Sequence, residues 1–464
     1  MATRTRAGRR TPGRTSSKTP GRAGRPGGER PFARFTIRNF GPISKGVVDL
    51  RPLTIFIGPN NSGKSYAATL IHSVVSAGEA LFPASGSPDR LDPWVAGAAY
   101  DWMASRAGGA RGGARGPARA ADLEGRAGSY YTSELFGGAV ADAITANFGT
   151  EARRLVRAGS GSASIGAAGG PLVSISERIT ARRRPREQGR GAPGGARATR
   201  RALLGSILRE GRIPGSPRGS FYMPGARSGL LEARAAISAG MERSGRAGPG
   251  APLRGTVSDL VSWLAAPGRR PGPYRSLARR MERDLLGGSL GARDGMSYGS
   301  GGASIPMRAA SSSVSEAAPL LLYLGYGAEP GSLLVVEEPE SHLHYAAQAV
   351  MARYIVRMMR AGLYVLVTTH SPVMVDMLSM HIRSRDVRPS TRRKLGFEPG
   401  DYLDVDEVAT YVFEGSAGSG YAIKRVGTDI KDGINQEEFV KAIDDLYDIS
   451  IAIFYDRDKN RPDP

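Results

Sequence analysis

Eight residues near the start of the chain read Gly58-Pro59-Asn60-Asn61-Ser62-Gly63-Lys64-Ser65. The apolar run Leu53–Ile57 before them is typical of a short buried strand, and the apolar spacing from Ser65 to Ile71 is typical of a helix. A glycine-rich turn between a strand and a helix lets successive backbone N–H groups surround a phosphate. The pattern G-x-x-x-x-G-K-[ST] predicts a nucleotide site in which Lys64 reaches the β- and γ-phosphates and Ser65 ligates Mg²⁺.

A second group of polar residues follows another apolar run, far downstream. Leu333–Val336 leads into Glu337-Glu338-Pro339-Glu340. Carboxylates at the C-terminal end of a buried strand face the ligand crevice of an open α/β sheet. We expect Glu337 to hold Mg²⁺ and Glu338 to orient or deprotonate the attacking water, because phosphoryl transfer depends on positioned charge. Taken alone, an acidic turn is more often a solvated loop or a helix cap, and the nucleotide motif in the same chain reverses that preference.

Three of the five histidines lie in the same region of the sequence. His370 follows the apolar run Tyr364–Val367 and two threonines, so we expect it at a strand end, where it can donate a hydrogen bond to a γ-phosphate. His344 is typical of a residue that starts a helix. A metal pair of His342 and His344 is disfavoured because no third ligand stands at a familiar spacing.

The composition narrows the classes of function. The chain has 464 residues, no cysteine and a formal net charge of +21. The absence of cysteine excludes disulfide scaffolds, thiolate zinc sites, iron–sulfur clusters and cysteine nucleophiles. No apolar run approaches the roughly 18 residues of a membrane span, so we expect a cytoplasmic protein with no membrane partner. The basic excess indicates a polyanionic partner such as DNA or RNA, although this Gly- and Arg-rich composition also fits a GC-rich genome.

The motifs together resemble those of the ABC-type ATPases of the OLD, RecF and SMC kind, which are often grouped as AAA-family ATPases. The resemblance rests on Ile37–Ile43, Gly58–Ser65, Glu337–His344 and Thr368-Thr369-His370-Ser371-Pro372. It implies a head domain that binds ATP and Mg²⁺, with Glu338 as the catalytic base and His370 at the γ-phosphate. The stretch Tyr222–Gly229 is similar to a Pro-x-x-Arg-Ser stretch of the OLD-like subset and makes Arg227 a weaker candidate.

The resemblance also implies a homodimer that closes on ATP. In ABC-type ATPases a Ser/Gly signature at a helix N-terminus of one subunit caps the γ-phosphate held by the other. The matching stretch here is Ser311-Ser312-Ser313, ahead of an apolar helix, where hydroxyl and free N–H groups suit an anion. A capping box between Ser313 and Glu316 is the structural alternative. Ser313 replaces the usual glycine of the family, and none of the three glutamines matches its glutamine loop.

Short apolar runs that alternate with helical patterns predict an α/β fold, a P-loop NTPase with a mostly parallel central sheet and an inserted helical lobe. In chain order we expect a disordered basic arm (1–31), the N-terminal part of the ATPase domain (32–90), an inserted and largely helical lobe with Gly/Arg-rich loops (91–300), the C-terminal part of the ATPase domain (301–385) and a small β/α segment (386–464).

Three functional classes follow from these motifs. The first is an ATP-hydrolysing enzyme in a DNA-linked process such as anti-phage defence or DNA repair, with a co-encoded effector such as a nuclease as a further partner. The second is an ATP-gated nuclease of the OLD-like Toprim type, for which Glu414, Asp456 and Asp458 resemble a metal site. We interpret that match as accidental, because too few residues follow the ATPase core to complete a Toprim fold. The third, less favoured, is a transporter ATPase subunit.

Overall fold

The structure, a computed structural model, describes residues 32–81, 136–167, 170–176, 215–244, 253–266, 270–291, 296–437 and 446–454. Its strands are β1 (Ala33–Phe40), β2 (Ile43–Leu50), β3 (Leu53–Ile57), β4 (Ser162–Ala167), β5 (Gly170–Ser176), β6 (Ser220–Met223), β7 (Ser289–Gly291), β8 (Ser297–Ser300), β9 (Ala303–Pro306), β10 (Leu333–Glu337), β11 (Tyr364–Thr368), β12 (Val408–Ser416), β13 (Gly420–Arg425), β14 (Thr428–Asp429) and β15 (Gly433–Ile434). Its helices are α1 (Lys64–Leu81), α2 (Gly137–Phe148), α3 (Arg227–Ser244), α4 (Gly255–Ala265), α5 (Arg275–Leu286), α6 (Ser312–Tyr326), α7 (Tyr345–Arg360), α8 (Pro372–Arg383) and α9 (Pro389–Lys394).

The central sheet has a parallel half and a largely antiparallel half. Its order across the described strands is β5-β4-β1-β2-β13-β12-β3-β11-β10-β6. The five strands from β12 to β6 run parallel to one another. Strands β1, β2, β4 and β5 pair antiparallel among themselves, and β13 pairs parallel with β2 and antiparallel with β12. The prediction of a P-loop α/β fold with a mostly parallel sheet is therefore confirmed.

The parallel strands are apolar on both faces because helices cover both faces. Leu333 and Val335 of β10 pack in the core under α1 and α2, while Leu334 and Val336 pack in the core that α5 to α8 cover. Each of these four side chains is at most 1% exposed. Burial of one such side chain contributes roughly 1.5–3 kcal/mol, so both faces of β10 contribute to stability.

The described part of residues 91–300 is more mixed than the helical lobe that the sequence predicts. Helices α2 to α5 lie in this region, but β4, β5 and β6 join the central sheet, and β6 pairs with β10. Short strands give a weak pattern, and their partners are distant in sequence, so the sequence does not reveal the pairing. The predicted basic arm and the Gly/Arg-rich stretches 106–119 and 182–201 lie outside the described residues.

The segment 386–464 contributes to the same sheet. The sequence predicts strands near Glu407–Phe413 and Tyr421–Val426, and β12 and β13 lie there. Strand β12 pairs with β3 next to the P-loop. The sequence also predicts a helix from Gln436 to about Tyr447, which lies mostly outside the described residues. Among the helices that the structure describes, none has the length and apolar character needed to cross a membrane.

Candidate active site

The loop between β3 and α1 carries the predicted phosphate-binding residues. Gly58 and Gly63 have φ of 132° and 103°, which glycine adopts readily and L-residues rarely adopt. A Cβ at Gly63 would lie 2.9 Å from Cγ of Pro42, so this glycine also lets the loop pack against the β1–β2 turn. Because α1 begins at Lys64, its free N–H groups face the loop.

Two side chains of this loop fit a bound phosphate. Lys64 is 8% exposed, and its Nζ donates to the carbonyl oxygens of Gly58 (2.8 Å) and Pro59 (2.7 Å). Ser62 is fully buried, and its Oγ has no hydrogen-bond partner among the described residues. A buried polar group without a partner costs about 1–3 kcal/mol, which a phosphate oxygen would offset.

Glu337 lies at the C-terminal end of β10 and is held by two donors. Its Oε2 accepts from the N–H of Gly225 at 3.1 Å, and its carboxylate also accepts from the hydroxyl of Tyr222. The Tyr222 hydroxyl in turn accepts from Oγ1 of Thr69 in α1 at 3.1 Å. Burial, reinforced by Glu337, raises the pKa of Tyr222 well above its usual value, so this hydroxyl keeps its proton.

Glu337 and Ser65 line the same cleft, which has a volume of about 560 Å³. Glu338, the loop 224–226, and residues of α3 and of the start of α4 line it as well. A carboxylate and a hydroxyl suit Mg²⁺, which keeps several waters and binds the phosphates of its substrate. The donor set therefore fits the predicted Mg-nucleotide.

Glu338 and His370 are brought together at the rim of the cleft. Oε1 of Glu338 lies 3.5 Å from Nδ1 of His370, and the two side chains are 41% and 49% exposed. Glu338 has φ of 44°, and its N–H donates to the carbonyl of Thr368 at the end of β11. A non-glycine residue in this conformation costs about 1–3 kcal/mol and persists only where its surroundings hold it.

Glu340 lies beneath this rim, and the sequence motifs alone do not assign it a role in the site. It is 5% exposed, and its Oε1 accepts from Oγ1 of Thr369 and from the N–H of His370. Burial raises the pKa of Glu340. The carboxyl group joins the ends of β10 and β11 and fixes the backbone of His370. Its position in the same acidic run as Glu337 and Glu338 was the available signal.

Arg227 is buried under the cleft and contacts the chain at Glu337 and Glu338. Its guanidinium donates to the carbonyls of Pro224 (3.1 Å), Glu337 (2.6 Å) and Glu338 (3.2 Å). Nη2 of Arg227 lies 3.0 Å from Oε1 of Glu316, and both side chains are at most 2% exposed. Burial lowers the pKa of Arg227 and Glu316 opposes that shift, but a guanidinium keeps its charge in proteins.

The candidate signature Ser311–Ser313 lies at the N-terminus of α6. Ser311 is the N-cap, and its Oγ is 3.0 Å from Oγ of Ser313. These serines are not among the described residues that line the cleft. The alternative of a capping box is wrong, because the Glu316 carboxylate accepts instead from the N–H groups of Arg227 and Ser228.

Two other sequence interpretations can be placed in the structure. His344 is the N-cap of α7, and its Nδ1 accepts from the N–H of Ala346 at 3.3 Å, which confirms a structural role. Glu414 lies within β12 and forms an ion pair with Lys424, away from the cleft. Asp456 and Asp458, its partners in the Toprim alternative, lie outside the described residues.

One family model matches the chain. Residues 197–376 match the family described as "AAA domain, putative AbiEii toxin, Type IV TA system". The resemblance to AAA-family P-loop ATPases is therefore confirmed over this segment, which spans less than half of the chain. The matched segment includes Arg227, Ser311–Ser313, Glu337, Glu338 and His370, while the P-loop lies before it.

Among solved structures, the chain is similar to three SMC head domains. The head domain from Thermotoga maritima shares 12% identity, with 85% of this chain and 98% of that chain covered and a TM-score of 0.33. A head bound to the C-winged helix domain of ScpA shares 12% identity (86% and 98% covered, TM-score 0.36). A head with an extended coiled coil, bound to the C-terminal domain of ScpA derived from Pyrococcus furiosus, shares 11% identity (90% and 98% covered, TM-score 0.36). No curated protein sequence matches the chain.

Proposed function

We propose that this chain binds Mg-ATP in the cleft and hydrolyses it to ADP and phosphate. The observation that supports this function best is the position of five candidate residues at the C-terminal ends of three neighbouring strands. Lys64 and Ser65 follow β3, Glu337 and Glu338 lie at the end of β10, and His370 follows β11. These are the positions where an open α/β sheet binds its ligand.

Each side chain has a distinct task in the proposed reaction. Ser65 and Glu337 would hold Mg²⁺, which supplies positive charge to the phosphates when bound. Lys64 binds the β- and γ-phosphates through its ammonium group. Glu338 accepts a proton from water as the water oxygen attacks the γ-phosphorus, and the bond from that phosphorus to the bridging oxygen of ADP breaks. His370 donates a hydrogen bond to the γ-phosphate and keeps Glu338 in place through the contact at the rim.

The proposed active form is a homodimer with two ATP sites. Ser311 and Ser312 are exposed at the start of α6, so they are accessible to a second copy. Helix N-termini bind anions through free N–H groups, and Ser311–Ser313 of one subunit would cap the γ-phosphate of the other. Because Glu316 of the same helix pairs with Arg227, the signature is linked to the floor of the cleft in its own subunit.

The test of hydrolysis and dimerisation uses Glu338→Gln, which removes the base and keeps the shape. We expect this variant to bind Mg-ATP, to release no phosphate and to accumulate as a dimer in light scattering coupled to size exclusion. Glu414→Gln, at an exposed acid outside the cleft, is the matched control and should hydrolyse ATP as the unchanged chain does. A Glu338→Gln variant that stays monomeric in saturating Mg-ATP refutes the dimer, and one with undiminished phosphate release refutes the role of Glu338.

We also propose a DNA-linked role in the cytoplasm, such as anti-phage defence or DNA repair, with a co-encoded effector such as a nuclease. The family description, which names a type IV TA system, supports a defence setting. On the described chain, Arg38 and Lys45 face each other across β1 and β2, and both are exposed. Like charges directly opposite in a sheet repel, so a polyanion in front of them is favourable.

Binding to duplex DNA at increasing salt tests this role. We expect the double variant Arg38→Ala and Lys45→Ala to weaken binding uniformly across sequences and to reduce the salt slope by about 2. Deletion of residues 1–30 tests the basic arm separately. If neither change alters DNA affinity or its salt slope, these surfaces do not carry a DNA-binding function.

A further inference from the structure

Arg254 lines the cleft beside the residues to which the proposed reaction assigns a role. It is exposed, and among the described residues that line the cleft with Ser65, Glu337 and Glu338 it is the single basic one. Arg227, the nearest alternative, is buried beneath the floor with its charge committed to Glu316. Among the described residues, the lining of the cleft therefore combines two carboxylates with one accessible arginine.

The backbone at Arg254 is held in place by close contacts between helices. Arg254 is the N-cap of α4, and its carbonyl accepts from the N–H groups of Val257 and Ser258. A Cβ at Gly149 would lie 3.3 Å from Cγ of Arg254, so the stem of the arginine packs on the C-terminus of α2. A Cβ at Gly255 would lie 2.6 Å from Oδ1 of Asn147, which brings α4 against α2 at the next residue.

These contacts continue to the helix that carries the phosphate loop. Nδ2 of Asn147 donates to Oγ of Ser73 in α1 at 3.0 Å. Helix α1 begins at Lys64, directly after the glycines of the loop. The position of Arg254 is thus fixed relative to the phosphate loop through α2, while its guanidinium is left accessible to the cleft.

Arg254 lines the same cleft as Ser65 and Glu337, the two residues expected to hold Mg²⁺. Because these residues share one cleft, the guanidinium is within electrostatic range of the expected Mg²⁺ and γ-phosphate. A positive charge at this position attracts the γ-phosphate, which ATP has and ADP lacks.

We propose that Arg254 contacts the γ-phosphate of ATP bound in its own subunit and stabilises the charge on it during hydrolysis. This role rests on the proposed ATPase function. Lys64 neutralises the phosphates from the loop, and Arg254 does so from the start of α4. An arginine suits this task because its planar fork binds two phosphate oxygens at once and is always charged. None of the three glutamines of the sequence matches the glutamine loop of the ABC-type ATPases. Arg254 supplies a polar contact at the γ-phosphate in place of that loop.

The primary variant is Arg254→Met, which keeps the stem on Gly149 and removes the charge. We expect its affinity for Mg-ATPγS to fall about tenfold, and its affinity for Mg-ADP to stay within about twofold, in competition with a fluorescent ADP analogue. Single-turnover hydrolysis should slow by roughly 10²-fold. Arg254→Lys keeps the charge without the fork and should recover part of both losses, and added guanidinium should partly restore Arg254→Met.

Arg279→Met is the matched control, because Arg279 is exposed on α5 and outside the cleft. If Arg254→Met binds and hydrolyses as this control does, or if it weakens ADP as much as ATPγS, the proposal is overturned. If Arg254→Met does not fold, Arg254→Lys and Arg254→Gln carry the same comparison of the two nucleotides. An unchanged chain that binds neither nucleotide refutes the ATP site itself, which is a different result from a failure at Arg254 alone.

Discussion

The rim and the floor of the cleft are built in opposite ways. At the rim, Glu338 and His370 lie 3.5 Å apart and are nearly half exposed. In the floor, Arg227 and Glu316 are at most 2% exposed. Their side chains form hydrogen bonds with backbone groups of three separate segments, which are 224–228, 316 and 337–338. Catalytic residues must be accessible to water and substrate, whereas the residues that hold them in position must be immobile.

This difference predicts a separation of effects on stability and on turnover. A buried ion pair that loses one partner leaves an uncompensated charge out of water, which costs far more than the loss of an exposed pair. Changes in the floor should therefore unfold the protein, and changes at the rim should leave a folded but inactive one.

Removal of the floor charge should have the largest effect. Arg227→Ala leaves Glu316 buried without its partner and frees the carbonyls of Glu337 and Glu338. We expect a loss of about 3–5 kcal/mol of unfolding free energy, measured by urea denaturation at pH 7.5. The double variant Arg227→Met with Glu316→Leu should recover part of that loss, because no charge remains buried. Arg279→Ala, on an exposed face of α5, is the control, and a loss in Arg227→Ala no larger than in this control would contradict the role of the floor.

How much of this site the sequence predicts depends on whether its contacts are local. The strand ends with Lys64, Glu337 and His370 can be predicted, because each apolar run and its polar end are contiguous. The pair of Arg227 with Glu316 spans 89 residues, and no local pattern indicates it. The same reason explains the wrong capping box at Ser313: Glu316 has the right spacing, but a buried arginine binds it instead. The left-handed conformation of Glu338 depends on β11 and is equally hidden from the sequence.

At the rim, His370→Ala should affect turnover and leave stability almost unchanged. The side chain is 49% exposed, and surface changes of this kind usually alter stability by no more than about 0.5 kcal/mol. Loss of the hydrogen bond to the γ-phosphate should lower kcat by roughly 10²-fold. Steady-state phosphate release and a urea transition on the same sample separate the two effects. A variant that loses several kcal/mol of stability would show that the rim and the floor are not distinct.

His72 extends the floor toward β6, and its burial predicts a pH-dependent stability. It is 4% exposed, its Nδ1 is 2.8 Å from Oγ of Ser220, and burial lowers its pKa to about 4 from 6.5. Because the folded state binds a proton at His72 less readily than the unfolded state does, the contribution of neutral His72 to stability is fully present above pH 6.5. It is lost progressively as the pH falls from 6.5 toward 4. At pH 5 the loss is about 2 kcal/mol of unfolding free energy by proton linkage.

Urea denaturation at pH 7.5 and pH 5 measures this contribution. His72→Gln cannot take up a proton, so the stability difference between the two pH values should shrink by about that 2 kcal/mol. His342→Asn, at an exposed histidine, is the control and should keep the pH dependence of the unchanged chain. An identical pH dependence in His72→Gln and the unchanged chain would show that folding does not lower the pKa of His72.

The smallest predicted effect distinguishes support for the metal ligand from support for the fold. Tyr222→Phe removes one hydroxyl that accepts from Thr69 and donates to Glu337, and it keeps the ring that packs beside His72. We expect a loss of about 1 kcal/mol of stability, since a single hydrogen bond contributes roughly 0.5–1.5 kcal/mol. The more informative readout is the Mg²⁺ concentration that gives half-maximal ATP hydrolysis. It should rise because, among the described residues, only the N–H of Gly225 would then still donate to the Glu337 carboxylate.

Thr69→Val is the matched comparison, because it removes the bond from Thr69 and leaves the Tyr222 hydroxyl free to donate to Glu337. It should lower stability similarly and leave the Mg²⁺ requirement unchanged. If both variants shift the Mg²⁺ requirement equally, Tyr222 acts through packing and not through its bond to Glu337.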